Sequence, residues 1–353
     1  MTKTMRWYGP NDKTSLINIK QCGVKGIVTA LHEIPVGNVW EIEDINERKK
    51  LIEDKGLEWK VVESLPVHED IKKRTKNYEK YIENYKKSIQ NLAECGIEVI
   101  TYNFMPVLDW VRTHTDYLNQ DGTKSLYFHK DAFVYFDVFL LKRPNAKADY
   151  TPEQIRKALL YGQSLSRKEK SKLSRSVLLG LPGSTKNFTS TQILKLLEEY
   201  KNIDEATLRN NLILFLKEVT PIAEKASIAL AIHPDDPPYS VLGLPRIVGT
   251  KADLQLILNQ VPSIANGLCY CTGSLGAHPE NDLLDILETT SDRIHFLHLR
   301  NVIKDIDGNF KESDHLEGDT SMEKIVEKII KIMQARKKSI PMRPDHGFLH
   351  SIE

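Results

Sequence analysis

The feature that most constrains this chain is an alternation: short β-rich runs separated by amphipathic helical segments, eight times over. The strand candidates are "TMRWYG" (4–9), "GIVTAL" (26–31), "EWKVVES" (58–64), "EVITYNF" (98–104), "SIALAIHP" (227–234), "NGLCYC" (266–271), "RIHFLHLR" (293–300) and "IPMRPDHG" (340–347). Helix-length connections between strands fit parallel neighbours, which need a crossover rather than a hairpin. Eight such units predict an α/β fold, a (β/α)8 TIM barrel. An open doubly wound sheet is the alternative, weakened because no Gly-rich phosphate fingerprint follows the first strand.

Periodicity locates the helices. Tyr78, Ile82, Tyr85, Ile89 and Leu92 recur at spacings of four and three, so they share one face. Leu208, Leu212, Phe215, Val219, Ile222 and Ala226 do the same before the fifth strand, and Met322, Ile325, Val326, Ile329, Ile330 and Met333 before the eighth. Thr320 with Glu323, and Thr250 with Asp253, have the spacing of a capping box.

Residues 113–203 break the rhythm between the fourth and fifth strands. Thr151 and Pro152 are placed to start a helix there, and "RKEKSKLSR" (167–175) reads as a solvated helix face. The expectation is a single TIM-barrel domain over 1–353, with 113–203 a helical insertion on the loop set that builds barrel active sites, and so a lid.

Composition narrows the function classes. A net charge of +1 gives no reason to expect nucleic acid or an anionic membrane as partner. No apolar run is long enough to span a bilayer, and the N-terminus lacks the apolar stretch of a secretory signal. Four cysteines, two isolated and two in Cys-Tyr-Cys, make no disulfide framework. A cytoplasmic protein is expected.

In a barrel, chemistry belongs to the C-terminal ends of the strands. Here the fifth strand ends in His233, the sixth in Cys271, the seventh in His298 and Arg300, and the eighth in Asp345 and His346. Asn103 ends the fourth, and the loops after the second and third carry His32 and His68. Strand alternation sorts them: Phe296, His298 and Arg300 share a face that His295 does not, Cys269 aligns with Cys271, and two alanines, 229 and 231, align below His233. Two imidazoles, a thiolate and a carboxylate (His233, His298, Cys271, Asp345) suit a divalent ion such as Mn2+, Fe2+ or Zn2+. Asp235 and Asp236, in "HPDDPP", read as turn chemistry rather than as acid and base.

Longer stretches carry a family resemblance. "RWYGPND" (6–12), "GIVTALHEIPVGNVW" (26–40), "EWKVVESLPVHEDIK" (58–72), "YIENYKKSIQNLAECGI" (81–97), "TYNFMPVLDWVRT" (101–113), "AIHPDDPP", "CTGSLGAHPEND" (271–282), "FLHLRN" (296–301) and "MRPDHG" together resemble the D-mannonate dehydratase family. The resemblance implies a xylose-isomerase-like barrel that uses Mn2+ or Fe2+ to remove water from D-mannonate, giving 2-keto-3-deoxy-D-gluconate in hexuronate (glucuronate) catabolism. It implies the same four metal ligands, a proton-transfer role for His346 and a catalytic role for Arg300. His32, His68, Asn103 and Arg343 stand as substrate-binding candidates. An enediolate-like intermediate needs charge stabilisation at substrate oxygens, a base for the C2 proton and an acid for the departing C3 hydroxyl.

Members of that family continue beyond this motif into a tyrosine-containing segment and a closing helix, whereas "FLHSIE" follows here. The expectation is a barrel without its last helix, its uncovered apolar surface met by partner subunits in a homo-oligomer. The alternative functions are a catalytically impaired metal-binding homologue lacking the C-terminal segment, and a metal-dependent sugar isomerase or epimerase.

Overall fold

All eight strand candidates form strands in the computed structural model, which describes residues 1–179 and 188–350. In chain order the strands are β1 (Thr2–Arg6), β2 (Gly26–Thr29), β3 (Glu58–Glu63), β4 (Val99–Tyr102), β5 (His114–Leu118), β6 (Lys124–Phe128), β7 (Ala229–Ile232), β8 (Asn266–Cys271), β9 (Ile294–Leu299), β10 (Val302–Lys304), β11 (Phe310–Glu312) and β12 (Pro341–Pro344). β1, β2, β3, β4, β7, β8, β9 and β12 form one closed parallel barrel. Closure comes from β1 and β12, with Thr2 opposite Pro341 and Lys3 opposite Met342.

The barrel interior follows from alternation. Val28, Val61, Val99, Ala231, Cys269 and Phe296, each from a different strand, make one buried apolar cluster. Two residues further along each strand the same inward direction recurs. Those positions are Ala30, Glu63, Thr101, His233, Cys271 and His298. The apolar layer is thus the floor on which a polar layer stands.

The helix Tyr78–Glu94 buries Ile82, Tyr85, Ile89 and Leu92, and Glu205–Lys225 buries Leu208, Leu212, Phe215 and Val219. The two meet at Phe215, whose ring lies edge-on to Tyr85 at 5.1 Å and 5.8 Å from Phe104. Thr250 and Asp253 form the expected capping box. Thr320 and Glu323 do not: the helix Met322–Arg336 starts after Ser321 without a side-chain cap. Thr320 is instead held by Asn301, whose side chain accepts from its N–H at 3.0 Å and donates to its carbonyl at 2.8 Å.

Between β4 and β7 the chain builds a second core. β5 and β6 pair antiparallel, and β6 pairs with β11 from the β9-to-β12 crossover, giving the sheet order β10-β11-β6-β5. Phe128 stacks on Phe310 at 5.5 Å, among Leu108, Val111, Phe133, Phe136 and Val177. Thr151 caps the helix Pro152–Ser164 in a full capping box, and the basic run lies on the helix Arg167–Val177, which buries only Leu173, Ser176 and Val177. Residues 180–187 of the expected insertion, and 351–353 of "FLHSIE", lie outside the described residues. Beyond β12 no helix forms among the described residues; Leu349 instead exchanges two backbone hydrogen bonds with Lys124, 2.7 and 2.9 Å, at the insertion sheet. No helix is long and apolar enough to cross a membrane among the described residues.

Phe215→Ala should cost about 3–5 kcal/mol, because a fully buried ring joining two helices is replaced by a cavity; the shift of a urea unfolding midpoint measures it.

Candidate metal centre and active site

The polar layer converges on one point. His233 follows β7, Cys271 ends β8, His298 lies on β9 and Asp345 follows β12, and one ligand atom from each lies within 4.8 Å of all the others. Strand register produces this, since Cys271 and Arg343 both stand opposite His298.

Each donor is oriented by a neighbour. His233 Nδ1 donates to the Pro234 carbonyl at 2.7 Å, which leaves Nε2 facing His298 Nδ1 at 3.1 Å. Arg343 holds the Asp345 carboxylate at 2.7 Å. Glu63 lies 3.4 Å from His298 Nε2, a nitrogen with no other partner. The nearby carboxylate favours the proton on Nε2, the tautomer that leaves Nδ1 free to ligate.

The electrostatics suit a cation. Burial alone would raise the Cys271 pKa, but His233 and His298 pull it well below that of an ordinary thiol, toward thiolate. Ser274 N–H adds a contact to the sulfur at 3.4 Å. Burial opposes charge on Asp345 as well, yet Arg343 and the neighbouring histidines hold its pKa well below the usual carboxylate range. His233 is raised to about 9 despite burial, by Cys271 and Asp345. Two imidazoles, a thiolate and a carboxylate drawn together this closely could hold a divalent ion.

Beside this cluster opens a cavity of about 230 Å3 lined by His233, Asp345 and His346 together with Tyr8, Asn103, Asp109 and Trp110. His346 lies parallel to Trp110, centroids 6.3 Å apart, and its backbone takes a left-handed φ of 53°. Burial lowers its pKa against the pull of Asp345, and Arg300 and Arg112 lower it further.

Four of the other expected site residues behave differently from one another. Asn103 and Arg343 line the cavity. Arg343, however, is bound bidentately to Glu63 at 2.8 and 2.9 Å, so its first task is internal. His32 is exposed, with its ring 5.9 Å from Tyr8 at the cavity rim. His68 does not reach the cavity. It caps the helix Glu69–Lys73 by accepting from Asp70 N–H at 3.0 Å, and it stacks on Tyr81.

Arg300 corrects the sequence reading. Its guanidinium is buried and saturated by carboxylates, Glu312 at 2.7 and 2.7 Å and Asp236 at 2.8 Å, outside the cavity lining. Asp236 is more than turn chemistry, since it also takes a bidentate pair from Arg112 at 2.6 and 2.8 Å. Arg112 and Arg300 hold it charged against the cost of burial. Asp235 ties the loop after β7 to a distant segment, accepting from Ile247 and Val248 N–H at 2.7 Å each. Glu63, Asp109 and Glu312 escaped the sequence reading. Glu63 had a detectable signal, being the last inward residue of its strand, whereas Glu312 lies on a strand the alternation never exposed.

Fold and site define a class: a closed (β/α)8 barrel with a candidate metal centre on the C-terminal ends of four consecutive strands. The D-mannonate dehydratase (UxuA) family model matches residues 1–352. A mannonate dehydratase of Marinomonas sp. is 47% identical over 98% of this chain and 90% of its own length. One from Saccharophagus degradans is 44% identical, covering 100% of this chain and 90% of its own. The crystal structure of mannonate dehydratase from Streptococcus suis superposes with a TM-score of 0.77 at 36% identity, covering 100% of this chain and 87% of that one. The chain belongs to the D-mannonate dehydratase family.

Arg300→Met strands Glu312 without its bidentate partner and should cost about 3–5 kcal/mol of stability. Guanidinium-chloride unfolding checks this; an unchanged midpoint would mean that Arg300 does not act through the network.

Proposed function

We propose that this protein is a mannonate dehydratase, removing water from D-mannonate to give 2-keto-3-deoxy-D-gluconate in hexuronate breakdown. The observation that carries the reading is the convergent donor set in a chain of this family. Its metal would be Mn2+ or Fe2+, held by His233, Cys271, His298 and Asp345. Bound there, the ion supplies Lewis acidity, stabilising negative charge on substrate oxygens.

The protein's own residues do the rest. His346, kept neutral near pH 7 by its lowered pKa, is suited to move a proton within the cavity. The flat face of Trp110 fixes the imidazole plane. Asn103 lies where a sugar hydroxyl would be bound, and His32 borders the entrance. Arg343 contributes by holding Glu63 and Asp345 in place. Asp109 and Trp110, which line the cavity, lead directly into the 113–203 segment, and this adjacency is what suggests a lid, since none of its described residues lines the cavity. Free cysteines suit a cytoplasmic setting. A homo-oligomer is supported by exposed Leu118 and Leu349, which flank Lys124 on either side of β6; sedimentation analysis tests it.

The deciding experiment is turnover of D-mannonate by metal-free protein and after adding Mn2+ or Fe2+. Product is expected only with metal, and no product from metal-loaded protein rejects the assignment. His346→Asn should lower kcat by about 10²–10⁴-fold. Because His346 is lowered below 6.5 and acts neutral, kcat/KM should hold near neutral pH and fall as pH drops through that lowered value. Glu63→Gln should weaken metal binding by about 10–100-fold, read by calorimetric titration.

A further inference from the structure

The loop after β4 is held with unusual force. Val107 adopts a left-handed φ of 60°, a conformation a β-branched residue takes only where its surroundings impose it. Two buried cations, Lys72 and Arg246, and the half-buried Glu69 impose it here. Glu69 accepts from Val107 N–H at 3.3 Å, Lys72 donates to the Met105 carbonyl at 2.7 Å and Arg246 donates to the Leu108 carbonyl at 2.7 Å. The next two residues, Asp109 and Trp110, are delivered to the cavity, Trp110 against His346. Strain confined to a segment that aims two side chains into a cavity marks positioning for function.

The charges around Asp109 do not balance if it is ionised. Two cations, Lys72 and Arg246, face three carboxyl groups, Glu69, Asp235 and Asp109. Glu69 has the closer claim on Lys72, at 2.6 Å against 3.7 Å for Asp109, and also accepts from Tyr200 at 2.6 Å. Burial raises the pKa of Asp235 too, but Arg246 and two backbone N–H groups, which Asp109 lacks, oppose the rise. Asp109 is therefore the carboxyl that best keeps its proton. Burial raises its pKa, helped by Glu69 and opposed by Lys72, Arg246 and a hydrogen bond from Asn103.

We propose that Asp109 is a further catalytic residue, a neutral carboxyl that hydrogen-bonds to the leaving hydroxyl of the sugar acid and protonates it. The inference rests on the dehydratase reading above. The C2–H bond breaks as its proton passes to a base, and its electron pair forms the C2–C3 double bond. The C3–O bond breaks with its pair going to oxygen, and the Asp109 proton completes the water. The enol becomes the 2-keto acid by moving the O2 proton to C3. The base releases its proton to solvent, and Asp109 regains one. Lys72, 3.7 Å away, stabilises the carboxylate formed in between.

The test uses the full chain loaded with Mn2+ and D-mannonate as substrate. Asp109→Asn keeps the size and removes the proton; kcat should fall by at least about 100-fold, with KM far less affected. The alkaline limb of the kcat–pH profile, where the wild type loses this proton, should disappear. Asp109→Glu should retain more activity than Asp109→Asn and keep that limb. A readout independent of turnover is the infrared difference between wild type and Asp109→Asn, which should contain a protonated-carboxyl band at neutral pH. Wild-type turnover with an unaffected Asp109→Asn variant, or with no such band, overturns this inference alone. A metal-loaded wild type without turnover overturns the dehydratase reading and this role with it. If Asp109→Asn does not fold, Asp109→Glu and the wild-type band, assigned by its shift in that variant, decide.

Discussion

The Glu63 carboxylate is the interaction on which the site depends. It lies at the end of β3, accepts two hydrogen bonds from Arg343 on β12 and one from Arg6 on β1, and faces His298 on β9. One buried anion thus connects the first and last barrel strands and orients a candidate metal ligand. Its pKa is held well below the usual carboxylate range although burial works against it, with Arg343 and Arg6 as the main opposing charges. Burying charge is expensive unless it is paired and hydrogen-bonded. What this arrangement contributes is less stability than definition, since Arg343 passes from Glu63 to Asp345 and so places the fourth donor.

A second charged network joins the barrel to the segment above it. Arg112 comes from the loop between β4 and β5, just before the insertion, Asp236 from the loop after β7, Arg300 from just beyond β9 and Glu312 from β11. Two guanidinium groups and two carboxylates neutralise one another in a region closed to water. Arg112 is also stacked between the Trp110 and Phe310 rings, at 4.9 and 4.7 Å. The cavity wall formed by Trp110 is therefore anchored by both charge and aromatic contact. Covering the donor cluster with such a wall excludes solvent, which strengthens every electrostatic interaction inside.

Much of this was legible from residues alone, for local reasons. Period-two alternation depends only on strand geometry, so Ala231 to His233, Cys269 to Cys271 and Phe296 to His298 were readable as floor and site. Helix faces such as Ile82, Tyr85 and Ile89 were readable for the same reason at another period. The capping box at Thr250 and Asp253 is contained within four residues, and it formed. At Thr320 the same local signal lost to a distant partner, Asn301. For His68 and Arg300 residue type suggested chemistry, while in the fold their side chains meet Tyr81, and Glu312 and Asp236.

By itself the sequence determined the barrel, its floor and which polar residues stand at the strand ends, because strand and helix periods and the order of strands are local properties. The tertiary structure decided which polar groups are free. Whether a histidine or arginine meets substrate or a buried carboxylate depends on partners far away in the chain, and β6 meeting β11, or Glu63 meeting Arg343, leaves no periodic trace. Desolvation makes those pairings obligatory, and only the folded chain shows which ones are made.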